Sequence, residues 1–282
     1  MRLRVTLITL LFVLTAGAVQ AHDLFLRLDS FFVRPQSTAQ IRVLNGTFSN
    51  SENAVARNRL SDISVVGPAG RTRLDTAAWE AAGDTSRLSV PVGAAGTYVV
   101  GASTLPREIT LEAKDFNSYL EEDGIPDVLA ARRRDGELGA KATERYSKHV
   151  KALVQAGARR SAGFDAVLGY PAELVPLNNP YQSRAGGWLR LRALVDGKPV
   201  ANQLVVAGGR PSRGGRLAER RVRTDADGIA RIRITDRGQW YVKFIHMVRV
   251  TGDRALQPAG APPGSPALDY ESKWATLTFE IR

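Results

Sequence analysis

The chain has 282 residues, 39 Lys and Arg against 28 Asp and Glu, a net charge of +11 and no cysteine. The missing cysteines exclude a disulfide framework, thiolate metal ligands and cysteine nucleophiles, so apolar cores must hold the fold. The basic residues are scattered or in short runs (Arg132 to Arg134, Arg159 and Arg160, Arg210 to Arg223) and do not interleave with aromatics as a base-stacking surface would, which argues against nucleic acid as a partner.

The first element is a targeting signal. Arg2 and Arg4 form a basic start, Val5 to Leu14 an apolar run, and Val19 and Ala21 place small residues at the positions a signal peptidase reads. Cleavage after Ala21 makes His22 the first residue of an exported, periplasmic protein, and leaves no transmembrane segment, because no later stretch reaches the roughly 18 apolar residues a spanning helix needs. A terminal histidine can bind one metal ion through its free α-amine and its imidazole Nδ1, closing a six-membered chelate ring.

His22, Leu24, Leu26 and Leu28 alternate with Asp23, Phe25 and Arg27, the pattern of a strand. Further short strands are expected at 39–44, 62–66, 87–90 and 96–102, separated by turn signals at Arg34-Pro35, Asn45-Gly46, Gly67-Pro68 and Gly93. From Lys114 the period changes. Asp115 is a candidate helix cap, Phe116, Tyr119 and Leu120 recur at helical spacing before Gly124, and Pro126 can open a second helix reaching Gly136. Tyr146, His149, Val150 and Leu153 also fit a helical stripe. Strands resume at 172–176, 188–195, 203–207, 222–224, 229–234, 240–250 and 274–281, with loops at 208–215 and 257–267. The chain therefore reads as all-β: a signal peptide over 1–21, an N-terminal Ig-like β-sandwich over 22–113, a helical segment over 114–160 and a C-terminal Ig-like β-sandwich over 161–282.

The histidines carry the candidate chemistry, since His22, His149 and His246 are all there are. His246 alternates with Trp240, Val242, Phe244 and Val248 on an apolar strand face, so it can meet His22 at a seam between the sandwiches; two imidazoles and an amine suit Ni(II), Co(II) or Cu(II). Asp23 and Glu271 are candidate oxygen ligands, and His149 is expected to pack on the helical stripe. Asp225-x-Asp227-Gly228 is half of a calcium loop without its bidentate glutamate, and reads as a turn. No nucleophile elbow, zinc-protease, P-loop or dinucleotide signature is present, so no enzyme activity is expected.

Several segments together are similar to one family. They are Ala21-His22-Asp23, Phe116-x-x-Tyr119-Leu120 with Gly124, Glu144 to Lys148, Glu173 to Leu177 with Pro180-Tyr181, Thr224 to Gly228, Trp240 to His246 and Asp269 to Phe279. In this order the chain resembles the DUF4198 proteins, related to the NikM-like periplasmic components of cobalt and nickel transport systems. The resemblance implies two Ig-like domains and a role beside a membrane metal transporter, and His22 and His246 are the histidines in matching segments. The alternative from the residues alone is a metal-free Ig-like module that binds an acidic partner, carbohydrate or the envelope through the basic stretch 210–223.

Overall fold

The computed structural model describes residues 22–251 and 267–282. The signal-like segment and most of the expected loop at 257–267 lie outside the described residues.

Nine strands precede the helices: β1 (Asp23–Arg27), β2 (Phe32–Val33), β3 (Ser37–Gly46), β4 (Leu60–Gly67), β5 (Gly70–Arg73), β6 (Trp79–Ala82), β7 (Thr85–Val92), β8 (Gly96–Thr104) and β9 (Arg107–Leu111). Helices α1 (Ala113–Glu122) and α2 (Pro126–Arg134) follow, then β10 (Ala142–Ala156). The remainder is β11 (Ala172–Pro176), β12 (Trp188–Val195), β13 (Lys198–Pro199), β14 (Leu204–Pro211), β15 (Leu217–Arg223), β16 (Ile229–Arg233), β17 (Gly238–Arg249) and β18 (Tyr270–Ile281).

One sheet of ten strands runs through the molecule in the order β15-β14-β17-β18-β10-β8-β4-β5, with β2 and β9 also on β10. Two smaller sheets cover it: β1-β3-β7-β6, and β11-β12-β13 with β16 on β12. They lie on opposite faces. Even-numbered residues of β10 (Val150, Ala152, Val154) join Leu24, Leu26, Ile41 and Trp79 in one core, whereas Leu153 joins Leu174, Leu191, Phe244 and Leu277 in the other. The protein is an all-β sandwich fold in which the two layers share the long sheet.

β10 corrects the expectation for 142–156. The helical stripe Tyr146, His149, Val150 and Leu153 is strand, paired in parallel with β18 and antiparallel with β8 and β9. A strand buried on both faces loses the polar–apolar alternation by which strands are read, and an accidental helical period remains. The helical expectation holds for α1 and α2. Gly124, at φ +79°, ends α1 in the left-handed conformation that lacks a steric cost only in glycine, and Pro126 opens α2. The expected loop at 208–215 is also partly strand, since β14 continues to Pro211. Gly209 permits this: a Cβ there would sit 2.1 Å from the Gln239 carbonyl oxygen of β17.

A third, aromatic cluster fixes α1 to the ends of β17 and β18. Phe116, Tyr119 and Leu120 pack on Ile245, Tyr270 and Trp274, with Tyr119 stacked on Trp274 at 5.9 Å. The packing of α1 brings Tyr119 and Asp123 to the end of β1.

Candidate functional site

Strand β1 lies across the face of β18 that carries Thr276 and Thr278, whose hydroxyls donate to the carbonyls of Leu24 and Leu26 at 2.8 and 2.6 Å. This anchoring holds His22 at the edge of the sandwich, with its side chain 19% exposed. The His22 imidazole Nε2 hydrogen-bonds the Glu52 carboxylate, and its carbonyl accepts from the Lys148 ammonium. Lys148 also donates to Asn45 Oδ1 at 3.2 Å and lies 5.2 Å from the Trp274 ring centre and 5.6 Å from that of Tyr146.

Asp23 points to the other side of β1. Its carboxylate pairs with Lys243 of β17, which also donates to Asp123 Oδ1 at 3.1 Å. The second carboxylate oxygen of Asp23 is buried without a hydrogen-bond partner among the described residues. Burial raises Asp123 to about 6, against the pull of Lys243. Burial opposes the charge on Lys243, but Asp23 and Asp123 outweigh it and hold the ammonium above the usual lysine range.

Glu144 of β10 completes the buried group. It accepts from Tyr119 Oη at 3.1 Å and from the Ser272 hydroxyl, and Ser272 in turn accepts from Trp274 Nε1 at 2.9 Å. Burial still lifts Glu144 to about 7. Burial likewise lowers Lys148 to about 8, although Asp23, Asp123 and Glu144 favour its charged form.

Two clefts meet at His22. One, of about 570 Å³, is bordered by His22, Leu24, Arg59, Arg107, Lys148 and Trp274. Among the described residues none of these three cations has a carboxylate oxygen within ion-pair reach, the nearest acid in the wall being the buried Glu144. The other cleft, of about 500 Å³, carries Asp23, Glu52, Asp115, Glu122, Asp123 and Glu219 beside Lys114, Arg216 and Lys243. His22 thus stands between a basic wall and a mainly acidic one.

The structure does not bring the four candidate ligands together. His22 and Asp23 border the acidic cleft, with side chains on opposite faces of β1. His246 is across the ten-stranded sheet: it faces the side of Phe244, Ala275 and Leu277, while β1 covers the side of Lys243 and Thr276. Its Nδ1 is 3.0 Å from Gln203 Oε1, its strand partner is Lys273, and burial followed by the Lys273 charge lowers its pKa. Glu271 lies on that same far face, in register with Val248 and Arg145. A seam between His22 and His246 is therefore absent, because alternation gave each histidine an inward face but the two inward faces belong to different cores. Among the described residues no three His, Asp or Glu side chains form a ready metal cluster.

His149 is buried, as expected of a packing residue, but on a strand. Its two ring nitrogens meet the hydroxyls of Ser103 and Ser147, each at 2.9 Å. Burial, reinforced by Lys273, depresses it to about 3, so it is a neutral core histidine.

Sequence reading missed Lys148, Lys243, Glu144 and Asp123. Their available signal was a charge inside an otherwise buried run: Lys243 interrupts Trp240 to Met247, and Lys148 precedes His149 and Val150. Buried charges require partners.

Comparison with known families agrees with the resemblance, although the segment Asp269 to Phe279 lies beyond the matched residues. A family model described as Domain of unknown function (DUF4198) matches residues 19–248. The chain belongs to the DUF4198 family. No curated protein matches this DUF4198 chain. Among solved structures it is similar, at 14% identity and a TM-score of 0.23, to a tetra-tandem repeat from the extending region of a large adhesion protein, covering 92% of this chain and 50% of that one. A Salmonella alpha-2-macroglobulin mutant matches at 10% identity and a TM-score of 0.22 over 93% of this chain and 15% of that one. A two-domain fibronectin type III segment of chicken tenascin matches at 11% identity and a TM-score of 0.20 over 90% and 98%. The chain spans half or less of the first two matched chains. Among the described residues no helix is long and apolar enough to cross a membrane.

Proposed function

We propose that this DUF4198 protein is an exported, periplasmic carrier that captures a late first-row divalent metal, Ni(II), Co(II) or Cu(II), at His22 and serves a membrane metal transporter. The observation that carries this reading is the contact between His22 Nε2 and Glu52. A carboxylate only accepts, so the ring proton sits on Nε2, and in the neutral ring Nδ1 keeps its lone pair. Nδ1 is the nitrogen that closes a chelate ring with the α-amine released by cleavage before His22. A carboxylate that orients an imidazole in this way is the usual partner of a metal-bound histidine. The acidic cleft supplies a favourable field for a dication, and Asp23 keeps one buried oxygen unpaired beside it.

His246 and Glu271 have no part in this site. The test is calorimetric titration of the mature chain beginning at His22 with each metal. One equivalent should bind, and affinity should fall as pH is lowered, because both nitrogens must be deprotonated. A chain with one alanine added before His22, and the His22→Ala variant, should each lose at least about tenfold in affinity, about 1.4 kcal/mol. Unchanged binding by both would refute the terminal chelate.

A further inference from the structure

The two clefts at His22 have opposite electrostatic character, and the basic one is unexplained by capture of a bare ion. Arg59, Arg107 and Lys148 cannot coordinate a metal while protonated, since guanidinium and ammonium groups have no free lone pair. Arg59 and Lys148 are held by backbone carbonyls and Asn45, and none of the three has a carboxylate within ion-pair reach among the described residues, so together they repel a dication, whatever the acidic cleft contributes from the other side. His22 offers two nitrogens, whereas square-planar Ni(II) or Cu(II) takes four donors, and no cluster of three metal-capable side chains is present among the described residues. The unmet coordination and the unmet positive charge border the same space.

We infer that the basic cleft holds a small carboxylate-bearing organic chelator, so that the cargo is an anionic metal chelate whose metal binds His22 and whose carboxylates meet Arg59, Arg107 and Lys148. This rests on the His22 reading above. The volume, about 570 Å³, is within the range of small-molecule sites. Trp274, Leu24, Ile109 and Leu111 supply apolar wall for the carbon skeleton, and the Asn53 side-chain amide, held through its Oδ1 by Asn45 Nδ2, can donate to a remaining oxygen. Arginine's planar fork matches a carboxylate in two-point fashion. The chelator brings the donors that the protein lacks and reverses the sign of the interaction with the basic wall.

Native mass spectrometry with parallel calorimetry tests this, with citrate as the probe. The chain beginning at His22 is mixed with Ni(II) alone, citrate alone, or Ni(II) and citrate together. A 1:1:1 protein–nickel–citrate complex is expected, with citrate alone binding at least tenfold more weakly than the nickel–citrate pair. Arg107→Ala, at an exposed position, should keep nickel but weaken retention of citrate about tenfold, and Arg59→Ala should act in the same direction. Nickel bound without citrate in the mixture, or equal citrate retention by both arginine variants, overturns the chelate proposal alone. Absence of nickel under every condition, or equal nickel binding by His22→Ala, overturns the His22 reading and this one with it.

Discussion

Lys151 and Lys243 are both buried among the described residues, and their surroundings differ in how completely their partners are satisfied. Lys151 pairs with Glu173 at 2.9 Å, both side chains 2% exposed. Glu173 also accepts the backbone N–H groups of Leu168, Gly169 and Tyr170 at 2.7 to 2.9 Å, so every lone-pair direction is used and the loop before β11 is tied to the sheet. Lys243 instead serves two carboxylates, one of which leaves an oxygen unpaired, and its group borders open clefts. Complete satisfaction marks a structural ion pair. Incomplete satisfaction beside a cavity is the feature on which the proposed metal-carrier reading draws.

The comparison can be broken most forcefully at Glu173. Glu173→Ala leaves a buried ammonium and three N–H groups without their acceptor, and should cost about 3–5 kcal/mol in urea unfolding. A loss below that of Asp23→Ala would remove the distinction. A second test uses pH. The folded state holds Glu144 protonated up to about 7, above the ordinary carboxyl value of 4.5. Folding therefore takes up a proton between these values, and stability falls as pH rises through that window. Glu144→Gln should lack this component, so its stability relative to wild type should grow with pH by up to about 1.4 kcal/mol per unit. Parallel stability–pH curves would contradict a carboxyl whose burial outweighs its hydrogen bonds.

Asp23→Ala should be milder, about 1–2 kcal/mol, because Asp123 still pairs with Lys243 and an unsatisfied oxygen is removed. The lower reference is Arg223→Ala, which breaks an exposed pair with Asp127 and should change stability by no more than about 1 kcal/mol. If Arg223 rivals Glu173 in the same unfolding assay, burial is not what distinguishes the ion pairs.

The extent to which the fold was legible follows from burial pattern. β11 and β12 have the bounds that alternation and turn residues predict, and β1 begins next to His22. β10 was misread because the central strand of a shared sheet touches two cores and alternates in neither. The same strand hid the site. Pattern placed His22 and His246 each on an apolar face, but it carries no information on which core a face joins, and that depends on the pairing of β10 with β18. Glu52 was invisible for a related reason: it reaches His22 through the turn after β3, where the Glu52 amide donates to the Asn45 carbonyl.

The most direct measurement is anomalous diffraction from crystals of the mature chain, beginning at His22, grown with Ni(II). The account predicts one strong peak about 2 Å from both His22 Nδ1 and the α-amine, with Nε2 still on Glu52. A peak at His246 or His149, or none at His22, would contradict it.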